Sequence, residues 1–328
     1  MKPYVYIGHP IEKETEAYIA KHCHYKIWNE ENEKVPEVVL KQELKHADGA
    51  MLTATKVTDE IVRDANQLKV ISTVSVGYDQ FDVDVLSKHG IYGTHTPYVL
   101  DDTVADLIFG ILLSASRRIG ELHHYVKKGK WTIEPDSAFY GQDVHHKTLG
   151  IVGMGRIGEK IVRRAKLGFE MDIVYHNRSR KPEIEEQYDV SYVELEELLK
   201  TADFVLLMVP LTDETVKLIG ANELSLMKST AVLINGARGP VIDEGALVQA
   251  LKNKDIFSAA LDVFETEPLP SDHPFLQLDN VTLTPHIGSA TLATTRAMEM
   301  RAAENVVQGA LGNVPRDVIP ELKSRNRV

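Results

Sequence analysis

The 328-residue chain carries 48 acidic side chains against 37 lysines and arginines, a formal net charge of −11. That balance argues against a nucleic-acid-binding surface and gives an anionic ligand no long-range attraction, so any anion must be captured by local positive groups. The length suggests two domains, each able to bury its own core, and 43% hydrophobic with 26% charged residues is ordinary for a soluble globular protein.

The N-terminal stretch Tyr4-Val5-Tyr6-Ile7, turning at Gly8-His9-Pro10, reads as a first strand and is too short for the apolar part of a signal peptide. Up to about residue 100, strand signals at Val5–Ile7, Tyr25–Trp28, Gly49–Thr53, Lys69–Thr73 and Ile91–Thr94 alternate with helical stretches near Lys13–His22, Pro36–His46, Asp59–Asn66 and Asp82–His89. Such alternation predicts a parallel sheet with helices on both faces. A long helical region follows over Asp101–Lys128, opened by acidic and Thr capping residues. Its apolar Leu107, Ile108, Ile111 and Leu112 suit either a core helix or an interface. A second series predicts strands at Leu149–Val152, Asp172–Tyr175, Phe204–Met208, Ala231–Ile234, Ser258–Leu261 and Val281–Thr284, and a closing helix over about Leu292–Leu311. No apolar run approaches the roughly 20 residues of a membrane span, so no membrane partner is expected. The single cysteine, Cys23, excludes an internal disulfide and suits a reducing compartment; a cytoplasmic location is the default.

The most informative segment is Leu149-Gly150-Ile151-Val152-Gly153-Met154-Gly155-Arg156-Ile157-Gly158. An apolar strand runs directly into Gly-x-Gly-x-x-Gly and then a helical pattern, with a further strand after it. In that context Gly153 allows a tight turn, Gly155 lets backbone approach a pyrophosphate, and Gly158 lets helix pack on strand. The helix start offers N–H groups and a positive dipole end to phosphates. The fingerprint begins near residue 150, so the dinucleotide-binding domain is inserted into, or follows, a first domain of similar topology.

In NAD-binding versions of this unit an acidic residue ends the second strand and holds the ribose 2′-hydroxyl. Here the strand ends His176-Asn177-Arg178-Ser179-Arg180, with no carboxylate at the tip. A 2′-phosphate needs donors and positive charge, so NADP(H) is the expected cofactor, with Asn177, Arg178, Ser179 and Arg180 around the phosphate and NAD(H) as the alternative.

Three later segments each place a polar residue past a strand: Arg238 in Asn235-Gly236-Ala237-Arg238-Gly239, carboxylates in Asp262-Val263-Phe264-Glu265-Thr266-Glu267, and His286 in Thr284-Pro285-His286-Ile287-Gly288. Carboxyl ends of strands are where open α/β sheets bind ligands. Paired histidines at His123-His124 and His145-His146 lack Cys or carboxylate partners at familiar ligand spacing, and no metal is expected.

These segments, with the fingerprint and Thr96-Pro97 followed by Val104-Ala105-Asp106, resemble the D-isomer-specific 2-hydroxyacid dehydrogenase family over nearly the whole chain. Tyr140-Gly141-Gln142-Asp143-Val144-His145-His146-Lys147 running into the fingerprint is similar to its glyoxylate/hydroxypyruvate reductase branch, also called 2-ketogluconate reductases. The resemblance implies an α/β fold of two doubly wound parallel-sheet domains. A flavodoxin-like substrate domain would span 1–100 plus 286–328, and a Rossmann cofactor domain 101–285. It implies NADPH-dependent reduction of small 2-keto acids (glyoxylate, hydroxypyruvate, 2-ketogluconate) to D-2-hydroxy acids. Arg238 would hold the substrate carboxylate and carbonyl oxygen, His286 would be the general acid, and Glu267 would pair with His286. Asp262 would serve the nicotinamide carboxamide, and the Val76-Gly77 backbone would meet the substrate carboxylate. Arg156, Ile157 and Pro210 join the cofactor contacts, and a homodimer is expected. Two other readings stand beside it: a phosphoglycerate, lactate or formate dehydrogenase of the same family, and a dinucleotide-sensing corepressor-like binding protein.

Overall fold

The fold is taken from a computed structural model that describes residues 1–30, 33–132, 134 and 137–327. The chain divides into two compact units, 1–100 with 290–328 and 101–289.

The first unit opens with β1 (Tyr4–Ile7), α1 (Lys13–His22), β2 (His24–Ile27), α2 (Glu37–Leu44), β3 (Gly49–Leu52), α3 (Asp59–Val62), β4 (Val70–Thr73), α4 (Val83–His89) and β5 (Tyr92–Thr94). Its five parallel strands lie in the order β2-β1-β3-β4-β5, the flavodoxin-like arrangement. Period-two alternation serves both faces. Tyr6, Ala50, Leu52 and Ile71 point into a cluster with Leu40, Leu44, Val62 and Leu86, while Val5, Ile7, Met51 and Val70 point into the opposite one. Strands buried on both sides read as continuous apolar runs, which is why this sheet shows so plainly in the sequence.

The second unit contains α5 (Asp101–Ser116), α6 (Ile119–Lys127), β6 (Thr148–Val152), α7 (Arg156–Phe169), β7 (Asp172–His176), α8 (Pro182–Tyr188), β8 (Ser191–Tyr192), α9 (Leu195–Thr201), β9 (Phe204–Leu207), α10 (Ala221–Leu226), β10 (Val232–Asn235), α11 (Glu244–Asn253), β11 (Ser258–Leu261) and β12 (Val281–Leu283). Its sheet is also parallel, in the order β12-β11-β10-β9-β6-β7-β8. The chain leaves β6 in one direction through β7 and β8 and resumes on its other side at β9. That reversal is the topological switch point, and the glycine turn that follows β6 lies there. The last helix, α12 (Leu292–Ala310), belongs to the first unit. It lies close on the sheet through Gly309, where a Cβ would come 2.5 Å from Val70 Cβ.

Three expectations need correction. The helical region over Asp101–Lys128 is two helices, broken where Arg118 adopts φ +56°. The Ser116 carbonyl accepts the Gln142 N–H at 2.8 Å, and the Arg118 guanidinium binds Glu121 together with the Ala138 and Tyr140 carbonyls. The second-unit sheet also has an edge strand, β8, that two residues and no apolar run could not signal. Finally, the later unit boundary falls at Ala290 rather than 286. Asp262 accepts hydrogen bonds from the Thr284 hydroxyl and from the Ile287 and Gly288 N–H groups, tying 284–288 to the second unit. No helix among the described residues is long and apolar enough to cross a membrane.

Candidate active site

Within the second unit, the turn after β6 is built around Gly153 at φ +98°, where a Cβ would sit 2.7 Å from backbone atoms of Met208 and Val209. Only glycine fits. At Gly155, by contrast, a Cβ would meet nothing within 4 Å, and the residue is exposed at the N-terminus of the 14-residue α7. An open, glycine-lined helix start suits a pyrophosphate. Gly158 is buried, with a Cβ position 3.3 Å from Met154 Cγ, so helix and turn pack closely. Arg156 ion-pairs through Nε with Asp101 at 3.2 Å, and Ile157 is half-buried beside it.

The residues expected around a 2′-phosphate divide. Asn177 accepts the Met154 N–H at 2.6 Å and donates to the Met154 carbonyl at 3.0 Å, so its side chain braces the glycine turn. Arg180 is tied to Glu185, which also accepts from the Tyr175 hydroxyl. Arg178 and Ser179 are exposed past the strand tip. Pro210, past β9, is exposed and its carbonyl accepts the Thr215 hydroxyl.

Arg238, Glu267 and His286 follow β10, β11 and β12, three neighbouring parallel strands, so their loops lie side by side at one end of the sheet. Asn235, 1% exposed, shapes the first loop: its side chain accepts the Ala237 N–H and donates to the Arg238 carbonyl, both at 3.0 Å. The Arg238 guanidinium donates to the Ala237 carbonyl at 2.8 Å and lies near enough to Glu267 and His286 for its charge to act on both.

Glu267 uses its two oxygens separately. Oε1 accepts the Phe264 N–H at 3.0 Å, and Oε2 lies 2.7 Å from His286 Nδ1. A carboxylate can only accept, so Nδ1 carries a proton and Nε2 is the position free to exchange one. The hydrogen bond to Glu267 raises the His286 pKa above the ordinary imidazole value, against burial and the Arg238 charge; Asp262 adds a smaller push upward. Burial pushes the Glu267 carboxyl up, but the His286 and Phe264 hydrogen bonds outweigh it and hold the group below the usual carboxylate range. His286 itself adopts φ +52°.

Asp262, 3% exposed, holds the histidine loop: Oδ1 accepts from the Thr284 hydroxyl (2.6 Å) and the Ile287 N–H (2.9 Å), Oδ2 from the Gly288 N–H (2.8 Å). One residue that the motif reading passed over also belongs here. Glu244, the first residue of α11, accepts the Glu265 N–H at 2.8 Å and faces His273 Nε2 at 3.1 Å. The only sequence signal was Asp243-Glu244 at a helix start, which reads equally well as ordinary capping. In the first unit, Val76 and Gly77 lie in the loop after β4, and buried His95 donates through Nδ1 to the Val76 carbonyl at 2.8 Å.

The family model for the D-isomer specific 2-hydroxyacid dehydrogenase NAD binding domain matches residues 109–288. A glyoxylate/hydroxypyruvate reductase B of Escherichia fergusonii is 47% identical over 274 residues, covering 84% of this chain and 85% of that relative. One from Erwinia tasmaniensis is 43% identical over 321 residues, 97% of this chain and 99% of its own. Among solved structures, an NADPH-dependent glyoxylate/hydroxypyruvate reductase from Sinorhizobium meliloti, in complex with NADP and malonate, superimposes with a TM-score of 0.87 at 28% identity, over 98% of each chain. The chain belongs to the D-isomer-specific 2-hydroxyacid dehydrogenase family, on its glyoxylate/hydroxypyruvate reductase branch, and is an NAD(P)-dependent dehydrogenase.

Proposed function

We propose that this protein reduces small 2-keto acids (glyoxylate, hydroxypyruvate and 2-ketogluconate) to D-2-hydroxy acids, using NADPH in preference to NADH. The observation that carries the reading is the Glu267–His286 hydrogen bond at 2.7 Å, which fixes the tautomer, with the Arg238 charge beside it. The nicotinamide supplies the hydride when bound. Arg238 holds the substrate carboxylate and carbonyl oxygen, for which a guanidinium fork is suited. His286 gives its Nε2 proton to that oxygen as negative charge develops there, and Glu267 stabilises the imidazolium before the transfer. The Val76-Gly77 backbone offers N–H groups to the carboxylate. Asp262 has about four acceptor positions, of which the loop takes three, leaving one for the nicotinamide carboxamide.

NADPH preference rests on the missing carboxylate after β7 and on exposed Arg178 and Ser179; Asn177 and Arg180 support the site from the turn and from Glu185. A homodimer built on the α5–α6 region is supported by exposed Ile119, Val126, Trp131 and Tyr140. A cytoplasmic setting accords with the single, buried thiol.

The test mixes purified protein with NADPH and hydroxypyruvate and follows the nicotinamide absorbance. Turnover that collapses in His286→Gln, with a lower KM for NADPH than for NADH, is the expected result. Failure to turn over any 2-keto acid from two to six carbons would refute it and favour the dinucleotide-sensing reading.

A further inference from the structure

The loop that carries Glu267 is held from two directions. Two successive N–H groups in it point to two different carboxylates: Phe264 N–H to Glu267 Oε1 at 3.0 Å, and Glu265 N–H to Glu244 Oε1 at 2.8 Å. Gly239 backs the same peptide so closely that a Cβ would fall 1.8 Å from the Phe264 carbonyl carbon. Glu244 is 9% exposed at the first position of α11, where the helix dipole favours a carboxylate.

Its second oxygen faces His273 Nε2 at 3.1 Å. His273 Nδ1 accepts the Phe275 N–H, and the ring packs against fully buried Phe275 with centroids 4.6 Å apart. With Nδ1 committed as an acceptor, the neutral ring carries its proton on Nε2. The chain of donors then runs one way, from Phe275 through His273 to Glu244, and Glu244 receives Glu265 on its other oxygen. Among the other charged neighbours, Asp243 pairs with Lys217 at 3.0 Å, and Lys217 also feels the charge of Glu265. The charged groups acting on His286 are Glu267, Arg238 and Asp262; Glu244 is not one of them.

We infer that Glu244, itself held by His273, is a positioning residue: it pins the Phe264–Glu267 loop so that Glu267 stays on His286. The inference deepens the proposed reaction and rests on it only for its kinetic readout. A loosened loop lets Glu267 leave Nδ1, and His286 then loses its proton at lower pH.

The experiment titrates the histidine rings of the whole chain by NMR in wild type, Glu244→Ala, His273→Phe and His273→Gln, with the His286 signal assigned by its loss in His286→Gln. The kcat of keto-acid reduction is followed against pH in parallel. Glu244→Ala and His273→Phe are expected to lower the His286 midpoint by about half a unit or more, roughly a threefold change in the protonated-to-neutral ratio. The descending limb of kcat should move with it. His273→Gln keeps a donor to Glu244 and restores the wild-type midpoint. Both His273 variants leave the Glu244 charge in place, so a shift in His273→Phe reports position rather than lost charge. If Glu244→Ala does not fold, the His273 pair decides alone. An unmoved midpoint in His273→Phe, or His273→Gln as low as His273→Phe, overturns the inference. Absence of keto-acid turnover in wild type would remove the proposed reaction instead, and the ring titration would still decide the positioning role.

Discussion

Replacing Gly239 by alanine tests how tightly the loops that carry Arg238 and Glu267 are locked. The residue is buried and follows Arg238 directly. A Cβ there would fall 1.8 Å from the Phe264 carbonyl carbon, 2.1 Å from its oxygen and 2.3 Å from the Glu265 nitrogen. All three are backbone atoms, so no change of rotamer relieves the overlap. Restoring ordinary contact requires that peptide to move by about 1.5 Å. The N–H bonds at 2.8 and 3.0 Å do not survive such a shift: away from its carboxylate each breaks, and toward it the atoms collide.

Each lost bond to a charged acceptor is worth about 1.5–3 kcal/mol, and the overpacking itself adds about 1–3 kcal/mol. The expected cost is therefore about 4 kcal/mol or more, a large part of the roughly 5–15 kcal/mol that holds a typical domain together. Urea unfolding of wild type and Gly239→Ala, monitored by far-UV circular dichroism, measures it. Displacing Glu267 should also lower kcat by about a hundredfold, because the acid loses its oriented partner. A variant within about 1 kcal/mol of wild type and within about threefold in kcat would refute the reasoning, since the peptide could not then be pinned as described.

Glu267→Gln keeps an acceptor for His286 Nδ1 but removes the charge, so the imidazolium is favoured less. In the proposed reaction the protonated ring is required and activity is lost as pH rises through its pKa; the kcat deficit at about pH 8 should therefore exceed that at about pH 6, and an equal deficit at both would count against the acid role. The same pair has a stability signature. The raised His286 pKa contributes stability below about 6.5 that is lost as pH rises through the folded value, and the lowered Glu267 pKa contributes above about 4.3 what is lost as pH falls through its own. Thermal melts of wild type against Glu267→Gln should differ most between those limits. Asp262→Ala removes the acceptor of three hydrogen bonds and, at about 1.5 kcal/mol or more each, should cost about 4.5 kcal/mol or more in urea unfolding, with kcat falling as the His286 loop loosens. Arg178→Ala should raise the KM for NADPH about tenfold and leave that for NADH unchanged, whereas Arg180→Ala should do less because Glu185 already engages that guanidinium; equal effects would place the phosphate elsewhere.

Where function is written in backbone shape, the sequence was readable. Gly153 announces the cofactor turn because its positive φ and the backbone of Met208 and Val209 beside it leave no room for a side chain, and Gly158 packs closely on Met154, while Gly155 leaves the helix start open. The fully buried strands β3, β9 and β10 leave continuous apolar runs that no surface element would carry. Side-chain commitments were less readable, because they are settled by competitors distant in sequence. Asn177 and Arg180 have the right chemistry for a phosphate, and the structure adds that the Met154 peptide and Glu185 already engage part of each side chain. The break at Arg118 is held by contacts distant in sequence: the Gln142 N–H on the Ser116 carbonyl and the Arg118 guanidinium on the carbonyls of 138 and 140.

The histidine shows the same division. His286 could be picked out by type and by its place after a strand, but its aim is not set by its neighbours in sequence. A non-glycine residue at φ +52° costs of order 1 kcal/mol and persists only when its surroundings over-determine it. Here the surroundings are Asp262, which draws in the N–H groups of Ile287 and Gly288, and Glu267, which fixes the ring through Nδ1. Buried at 3% exposure, the Asp262 carboxylate must itself be satisfied by donors, and the loop is what supplies them. The strained turn and the buried charge therefore stabilise each other, and the orientation of the His286 ring is a product of that exchange rather than of residue 286 alone.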